Sequence, residues 1–243
     1  LVHGQSQEGF ISLDCGIPEG GDYQDATTTI DFTTDTGYID GGEIWSAPSC
    51  SNSLLPLYGN LRSFPNGTRN CYRLQPVKPG GKYLIGASFC YGNYDGNNSV
   101  PEFDLHVGVN FWATVFLQSH GGYDLEIITV AQWEYIWVCL VNTGKGTPFI
   151  SSLELRPLLD SMYVIANQSQ SLVRQDRLNF GATSQLWFPD DPYDRGWYGS
   201  VAGFKAVNST WEVTTKAADG FQVPPSVMRT AVTTTSRSGH DAF

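Results

Sequence analysis

The chain has 243 residues, enough for one large β-sandwich or for two smaller domains. Its formal net charge of −10 would repel a phosphate backbone and no Lys/Arg cluster is longer than a pair, so we expect neither nucleic acid nor an anionic membrane as a partner. Charged residues make up 16% of the chain, and 26 glycines and 13 prolines accompany an aromatic share of 13%, a composition typical of a turn-rich β protein. No stretch approaches the roughly 20 apolar residues of a membrane helix, so we expect no direct membrane insertion by this chain.

Two features of the sequence indicate secretion. The chain begins LVHGQSQEGF, an apolar pair before small and polar residues, as a trimmed secretory leader would leave. Acceptor sequons for N-glycosylation lie at Asn66, Asn97, Asn167 and Asn208. We therefore expect an extracellular protein with these four asparagines on exposed loops.

The five cysteines, at 15, 50, 71, 90 and 139, lack the C-x-x-C spacing of a zinc site. An oxidising compartment allows up to two disulfides with one thiol left over, and the sequence leaves the pairing open. Cys90 and Cys139 lie inside apolar runs, where buried free thiols fit as well as disulfides do.

Strand patterns dominate the first two thirds of the chain. KYLIGASF, from Lys82, alternates apolar and small residues, and FDLHVGVNF, from Phe103, alternates so regularly that it predicts one continuous strand to Phe111. YIWVCLV is apolar on both faces and predicts a central strand. FISSLELRPL alternates until Pro157, where we expect the strand to end. Glycine-rich turns separate these runs, which favours an antiparallel sandwich.

A domain boundary is predicted near residues 157–161, where the alternating pattern stops. Residues 161–175 form the best helical candidate, or else a linker along the surface. The remaining residues show few strand patterns, so we expect the second sandwich to be incomplete.

Little in the sequence indicates catalysis. The four histidines lie far apart, without metal-ligand spacing, and no nucleophile motif occurs, so we expect no metal, no cofactor and no enzymatic activity. The acidic cluster Asp190, Asp191 and Asp194 is retained as a weak glycoside hydrolase alternative. Pro189 and Pro192 favour a turn in which these carboxylates cap backbone groups.

The stretch YGNYDGNN, residues 91–98, combines aromatic rings with amides and a carboxylate directly after a predicted strand. Sugar ligands are held by aromatic faces and a few precise hydrogen bonds, but the same residue types make turns. The residues leave these two interpretations evenly balanced. The candidate ligand-binding residues are Tyr91, Asn93, Tyr94, Asp95 and Trp112.

Several long motifs occur together in one order: GFISLDCG, RNCYRL, KYLIGASFCYGNYDG, FDLHVGVNFW, VCLVNTGKGTPFISSLELRPL and PDDPYDRGW. In this order the chain resembles the malectin-like extracellular domains of plant leucine-rich-repeat receptor kinases. The resemblance implies an all-β protein of tandem malectin-type, jelly-roll-like β-sandwich lobes: a first lobe at 9–158, a truncated second lobe at 159–235 and a non-family tail at 236–243. It also implies a fragment, a cleaved ectodomain or a shortened gene product.

For function, the resemblance implies a non-catalytic extracellular recognition module of a receptor-like kinase. Related lectins bind sugar on loops at one end of the sandwich, which makes the segment after Cys90 the expected site for cell-wall carbohydrate. The alternative is a scaffold that binds a secreted peptide or a co-receptor protein in the cleft between the lobes. Two positions depart from the family pattern: Gly86 stands where relatives usually carry Arg, and Gly196 replaces a bulky apolar residue.

Overall fold

The computed structural model describes residues 6–51, 56–117, 122–211, 213–216 and 219–234. The chain divides into a first lobe, Gln7–Asp160 with Val164–Arg174, and a second unit, Ser161–Tyr163 with the residues from Gln175 onward. The tail predicted at 236–243 lies outside the described residues. Segment 161–175 contains no helix; most of it lies along the first lobe, as the linker alternative expected.

The described elements are nearly all strands, as the composition predicted. The first lobe contains β1 (Ile11–Asp14), β2 (Tyr23–Gln24), β3 (Asp31–Thr34), β4 (Glu43–Ser46), α1 (Pro48–Ser51), a 3₁₀ turn (Pro56–Tyr58), β5 (Asn60–Ser63), β6 (Arg69–Leu74), β7 (Lys82–Cys90), β8 (Glu102–Val107), β9 (Asn110–Phe116), β10 (Gly122–Val130), β11 (Ile136–Lys145), β12 (Phe149–Ile150), β13 (Ser152–Leu158) and β14 (Leu172–Val173). The second unit contains β15 (Leu178–Phe180), β16 (Tyr198–Ser200), β17 (Lys205–Asn208), α2 (Pro225–Met228) and β18 (Thr230–Thr233).

The first lobe is a sandwich of a seven-stranded and a four-stranded sheet. The strand orders are β14-β10-β7-β13-β1-β3-β2 and β6-β11-β8-β9, and a smaller sheet runs β12-β5-β4. Alternate residues of β7, including Ile85, Ala87 and Phe89, are buried, as the pattern predicted. The Phe89 ring meets Phe103 of β8 edge to face, with centroids 5.8 Å apart, which shows the two sheets packing face to face.

The single strand predicted from Phe103 to Phe111 is wrong, because the segment is a hairpin. Gly108 adopts a φ of +58° and forms with Val109 the turn that joins β8 to β9. The register pairs Val107 with Asn110, so the alternating residues before and after the turn lie on two neighbouring strands. A glycine at the first central position is what a two-residue hairpin turn of type II′ requires.

The expectation that Pro157 ends its strand is also wrong. Pro157 lies within β13, opposite Tyr83 of β7. On the other side of β13, pairing with β1 stops at Leu155, opposite Ile11. Beyond that point β13 has a neighbouring strand on one side only, so a residue without an N–H is tolerated.

Four of the five cysteines form disulfides within the first lobe. Cys50 is bonded to Cys90, and Cys71 to Cys139, whereas Cys15 is a buried free thiol. The first bond ties α1 to the end of β7, and the second joins β6 to β11 across the four-stranded sheet. The apolar surroundings of Cys90 and Cys139 therefore hold bridges rather than thiols.

The second unit has a smaller framework. Its described strands form two pairs, β15 with β16 in parallel and β17 with β18 in antiparallel orientation. Its large exposed apolar side chains include Phe180, Phe204, Trp211, Phe221 and Met228. The truncation predicted for this unit stays a prediction.

Candidate functional site

The candidate site is the tyrosine loop, residues 91–98, which follows β7. Gly92 at φ +52°, Asn93 at +55°, Gly96 at +72° and Asn98 at +54° turn the chain. Glycine and asparagine are the residues that adopt this left-handed region most readily, so the sequence of the loop is suited to its shape. The loop is anchored by the Cys50–Cys90 disulfide, and Ser49 Oγ donates to the Gly92 carbonyl at 2.8 Å.

Asp95 is the centre of the hydrogen bonds in the tyrosine loop. Tyr91 Oη donates to Asp95 Oδ1 at 2.5 Å, and the Asn97 backbone N–H and Nδ2 donate to the two carboxylate oxygens at 3.1 and 2.9 Å. Partial burial alone would raise the pKa of Asp95, but these donors hold it below its ordinary value. Burial and the bond to Asp95 raise the pKa of Tyr91 to about 12.

The two asparagines that bracket the loop also bind each other. Asn93 Nδ2 donates to Asn98 Oδ1 at 3.0 Å, and the Asn98 backbone N–H donates to Asn93 Oδ1 at 2.8 Å. Many of the polar atoms that sequence reasoning offered to a ligand are thus engaged inside the loop. These hydrogen bonds therefore stabilise a rigid turn, and they leave fewer polar groups of the loop for a ligand.

The aromatic part of the site is centred on Tyr94. Its half-buried ring packs against Phe149 and Trp45, with centroids 5.7 Å away in each case, and its Oη lies 2.8 Å from Ser63 Oγ. Trp45 is 40% exposed and lies on β4, all four residues of which are exposed. Sequence reasoning did not identify Trp45 or Ser63 as residues of the site. The only local signal for Trp45 was the Gly41-Gly42 pair, which indicates a turn shortly before it.

The structure brings Asn93, Tyr94 and Asp95 together near the surface but separates the other two candidates from it. Tyr91 is fully buried beneath the loop, so its ring supports Tyr94 at 5.6 Å rather than facing solvent. Trp112 is 4% exposed and lies near the hairpin end of β9, whereas the tyrosine loop leads into the opposite end of β8. Strand direction therefore places Trp112 away from the loop.

The acidic cluster of the second unit is a structural ion pair. Asp191 is fully buried and accepts from Arg195 Nε at 2.8 Å and from Trp197 Nε1 at 2.6 Å, while its other oxygen accepts from the Tyr193 N–H. Asp194 Oδ1 accepts from the Phe188 N–H. Both side chains cap and brace the turn, as the flanking prolines indicated.

In the described part of the chain, no three His, Cys, Asp or Glu side chains come together as potential metal ligands. No helix there is long and apolar enough to span a membrane.

Comparison with known proteins gives the family. The family model of the malectin-like domain matches residues 13–242. The probable LRR receptor-like serine/threonine-protein kinase At1g05700 of Arabidopsis thaliana is 44% identical over 237 residues, which is 96% of this chain and 27% of that protein. The receptor-like protein kinase At5g59670 of the same plant is 43% identical over 82% of this chain and 23% of that protein. The chain thus spans about a quarter of the length of the curated relatives it matches, and their kinase domains lie outside the matched span.

Solved structures confirm the fold. The extracellular domain of ANXUR1 from Arabidopsis thaliana superimposes with a TM-score of 0.73 at 16% identity, over 91% of this chain and 66% of that one. A chain in the crystal structure of plant peptide RALF23 in complex with FER and LLG2 matches with a TM-score of 0.68 at 16% identity, over 90% of this chain and 62% of that one. The chain therefore belongs to the malectin-like domain family, as a non-catalytic recognition domain of the kind found in LRR receptor-like kinases.

Proposed function

We propose that the chain is the extracellular recognition module of a receptor-like kinase and that it binds a secreted peptide, together with a co-receptor protein. The observation that carries this proposal is the open edge of β4 beside the aromatic pair Trp45 and Tyr94. Support from outside the chain comes from the similar fold solved in complex with the peptide RALF23 and LLG2. The proposed peptide-binding surface lies on the first lobe alone, whereas the sequence suggested the cleft between the lobes.

The edge of β4 suits an extended peptide. Among the described strands, β4 pairs with β5 on one side and with no strand on the other. An exposed strand edge presents backbone N–H and C=O groups to which an incoming strand can bind. Trp45 and Ile44 are 40% and 47% exposed along this edge and, as neighbours in one strand, point to opposite faces, so successive peptide side chains would find one apolar contact on each face.

The tyrosine loop fits a protein ligand better than a sugar. A sugar site needs unengaged hydrogen-bonding groups beside an open aromatic face. In this loop Asp95 already accepts hydrogen bonds from Tyr91 and Asn97, the two bracketing asparagines bind each other, and the buried Tyr91 presents no face. The loop instead supplies a rigid wall behind Trp45, which is what a preformed peptide site requires.

The experiment is a peptide selection on the purified chain. A displayed library of random peptides, with RALF23 as a defined probe, would be selected for binding, and affinities would be measured by calorimetry. We expect Trp45→Ala to weaken a selected peptide about 30-fold, or ~2 kcal/mol, as the loss of a hot-spot side chain does. Trp137→Ala is the matched control, because Trp137 is 39% exposed on a different surface.

Carbohydrate remains the second candidate, because Asn93, Tyr94 and Asp95 do lie together near the surface. A cell-wall glycan array tests it in parallel. If defined oligosaccharides bind and both Tyr94→Ala and Asp95→Ala abolish that binding, while no selected peptide depends on Trp45, the peptide proposal is overturned in favour of the sugar. Binding of neither class would overturn both.

A further inference from the structure

A second concave surface lies at the other end of the first lobe from the tyrosine loop. It has a volume of about 630 Å³ and is formed by the β8–β9 hairpin tip, the β10–β11 connection and residues 168–171. β7 and β10 run antiparallel, pairing Cys90 with Gly122 and Lys82 with Val130, so the residues after Val130 lie far from the loop after Cys90. The peptide proposal makes no use of this groove.

The groove combines exposed aromatic rings with amides. Trp133 is 64% exposed and Phe111 60%, and Trp137 completes the aromatic lining. Gln132, Gln168 and Gln170 contribute amide groups. Among the residues that the structure describes, the lining includes no carboxylate, ammonium or guanidinium group. Arg73 lies over the rings of Tyr135 and Trp137 at 4.5 and 5.9 Å without lining the groove itself. Such a surface fits a neutral ligand with apolar faces and hydroxyl or acetamido groups.

A candidate glycosylation site stands at the rim of this groove. Asn167 is exposed and opens a tight turn, in which it exchanges backbone hydrogen bonds with Gln170 at 2.9 and 3.2 Å. The next two residues, Gln168 and Ser169, line the groove. Gln132 Nε2 donates to the Gln168 carbonyl at 3.2 Å, so the turn is fixed against the connection that carries Trp133.

The amide of Asn167 is compatible with a glycan in this position. Its Nδ2 donates to the Ile165 carbonyl at 3.1 Å, which uses one of two amide hydrogens. In N-glycosylation the bond from Nδ2 to the sugar C1 forms as the C1–O bond to the pyrophosphate of a lipid-linked glycosyl donor breaks, and one Nδ2 proton is lost to a base. The remaining N–H can keep the bond to Ile165.

We propose that Asn167 carries an N-linked glycan and that its first N-acetylglucosamine residues lie in the groove, against Trp133 and Phe111. Pyranose rings have apolar faces that stack on aromatic side chains, and their acetamido groups match the glutamine amides. The glycan shields the exposed aromatic rings of the groove from self-association. This inference concerns the chain's own carbohydrate and does not depend on the peptide proposal.

The experiment compares glycoforms of the whole chain secreted from a eukaryotic host. Mass spectrometry reports occupancy at Asn167, and hydroxyl-radical footprinting reports the oxidation rate of each tryptophan. We expect removal of the whole glycan by a peptide N-glycosidase, or its loss in Ser169→Ala, to raise the oxidation rate of Trp133 several-fold. Trp211 of the second unit is 82% exposed and serves as the internal standard for Ser169→Ala. Asn208→Gln removes a different sequon, three residues before Trp211, and is the control in which the oxidation rate of Trp133 should not change.

A second measurement is needed because Ser169→Ala also removes a hydrogen bond within the turn itself. The endoglycosidase release rate at Asn167, relative to Asn208, is expected to rise several-fold in Trp133→Ala and to stay unchanged in Trp45→Ala. An unmodified Asn167 in the secreted chain overturns the proposal. So does equal oxidation of Trp133 in all glycoforms together with a release rate that ignores Trp133.

Discussion

Two buried aspartates of the first lobe differ in their hydrogen-bond partners. Asp35 accepts two hydrogen bonds of 2.6 Å from the Arg62 guanidinium and a third from Tyr72 Oη at 2.8 Å, so the positive charge of Arg62 balances its negative charge. The described hydrogen bonds of Asp14 come from neutral donors, Tyr23 Oη at 3.1 Å and the Gly16 N–H at 3.3 Å. Burial therefore dominates at Asp14 and raises its pKa to about 7.

The raised pKa of Asp14 predicts a pH dependence of stability. A carboxyl whose pKa is higher in the folded than in the unfolded chain binds more protons when folded, so the free energy of unfolding falls as pH rises. The loss should begin near pH 4, proceed at about 1.4 kcal/mol per pH unit and be complete just above pH 7. Urea unfolding at several pH values measures it. Asp14→Asn should flatten the dependence and the exposed Asp40→Asn should not; equal slopes in both variants would contradict the assignment.

Gly86 of β7 has an acidic neighbour on each of the two adjacent strands. Its cross-strand neighbours are Glu126 of β10 and Glu154 of β13, and directly opposite residues share one face of a sheet. A Cβ at position 86 would meet only the Glu154 Cβ, at an ordinary 3.8 Å. Gly86→Arg should therefore raise the free energy of unfolding, because it removes a flexible glycine and places a cation between two carboxylates, each of which already pairs with one arginine.

The glycine and charge contributions at position 86 can be separated. Gly86→Ala should add about 0.5 to 1 kcal/mol through the backbone alone. Gly86→Arg should exceed that value at low salt, and the excess should shrink as salt rises. A ranking by thermal melts in which Arg is no better than Ala would show that the glutamates do not attract the new cation.

At the scale of the element, the tyrosine loop depends on α1 at its back. A Cβ at Gly92 would come within 2.8 Å of Cys50 Sγ and Ser49 Oγ, whereas a Cβ at Gly96 meets nothing within 4 Å. Both glycines have positive φ, so alanine strains the backbone at either position. The two positions therefore form a matched pair that differs in packing alone.

Alanine scanning of this pair tests whether α1 holds the loop in place. Gly96→Ala should lower the free energy of unfolding by about 1 kcal/mol, and Gly92→Ala by about 2 kcal/mol more, because the overlap adds to the strain. Urea unfolding of both variants provides the values. Equal losses would mean that the loop moves off α1 without cost.

On the scale of the whole molecule, the two units differ in what stabilises them. The first lobe has large sheets that pack face to face and two disulfides, which together stabilise it by several kcal/mol through burial and restriction of the unfolded chain. The described part of the second unit has two strand pairs and the buried pair Asp191 and Arg195. A buried ion pair contributes little net stability, although removal of one partner is costly.

The second unit should accordingly melt at a lower temperature than the first lobe. Scanning calorimetry would show two transitions, and Asp191→Asn should lower the first transition by several degrees, because it leaves the Arg195 charge buried and unpaired. Reducing agent should lower the second transition, since both disulfides lie in the first lobe. One cooperative transition that both treatments shift would contradict the expectation.

The amino-acid sequence alone determined the alternation by which Ile85, Ala87 and Phe89 of β7 face the core. The alternation in β7 and the glycine and asparagine positions of the tyrosine loop depend on neighbours in the chain, and both are visible in the sequence. The family was equally readable, because long motifs such as KYLIGASFCYGNYDG survive in order.

Tertiary structure alone decided the rest, because each of these features depends on residues far apart in the chain. The disulfide pairing and the contact between Trp45 and Tyr94 join segments about 40 or more residues apart. The burial of Tyr91 under its own loop depends on packing from another element. Pro157 is tolerated only because β1 has already ended beside it. The groove beside Asn167 likewise exists only after β8, β10 and residues 168–171 have come together, and no local pattern in the sequence records that meeting.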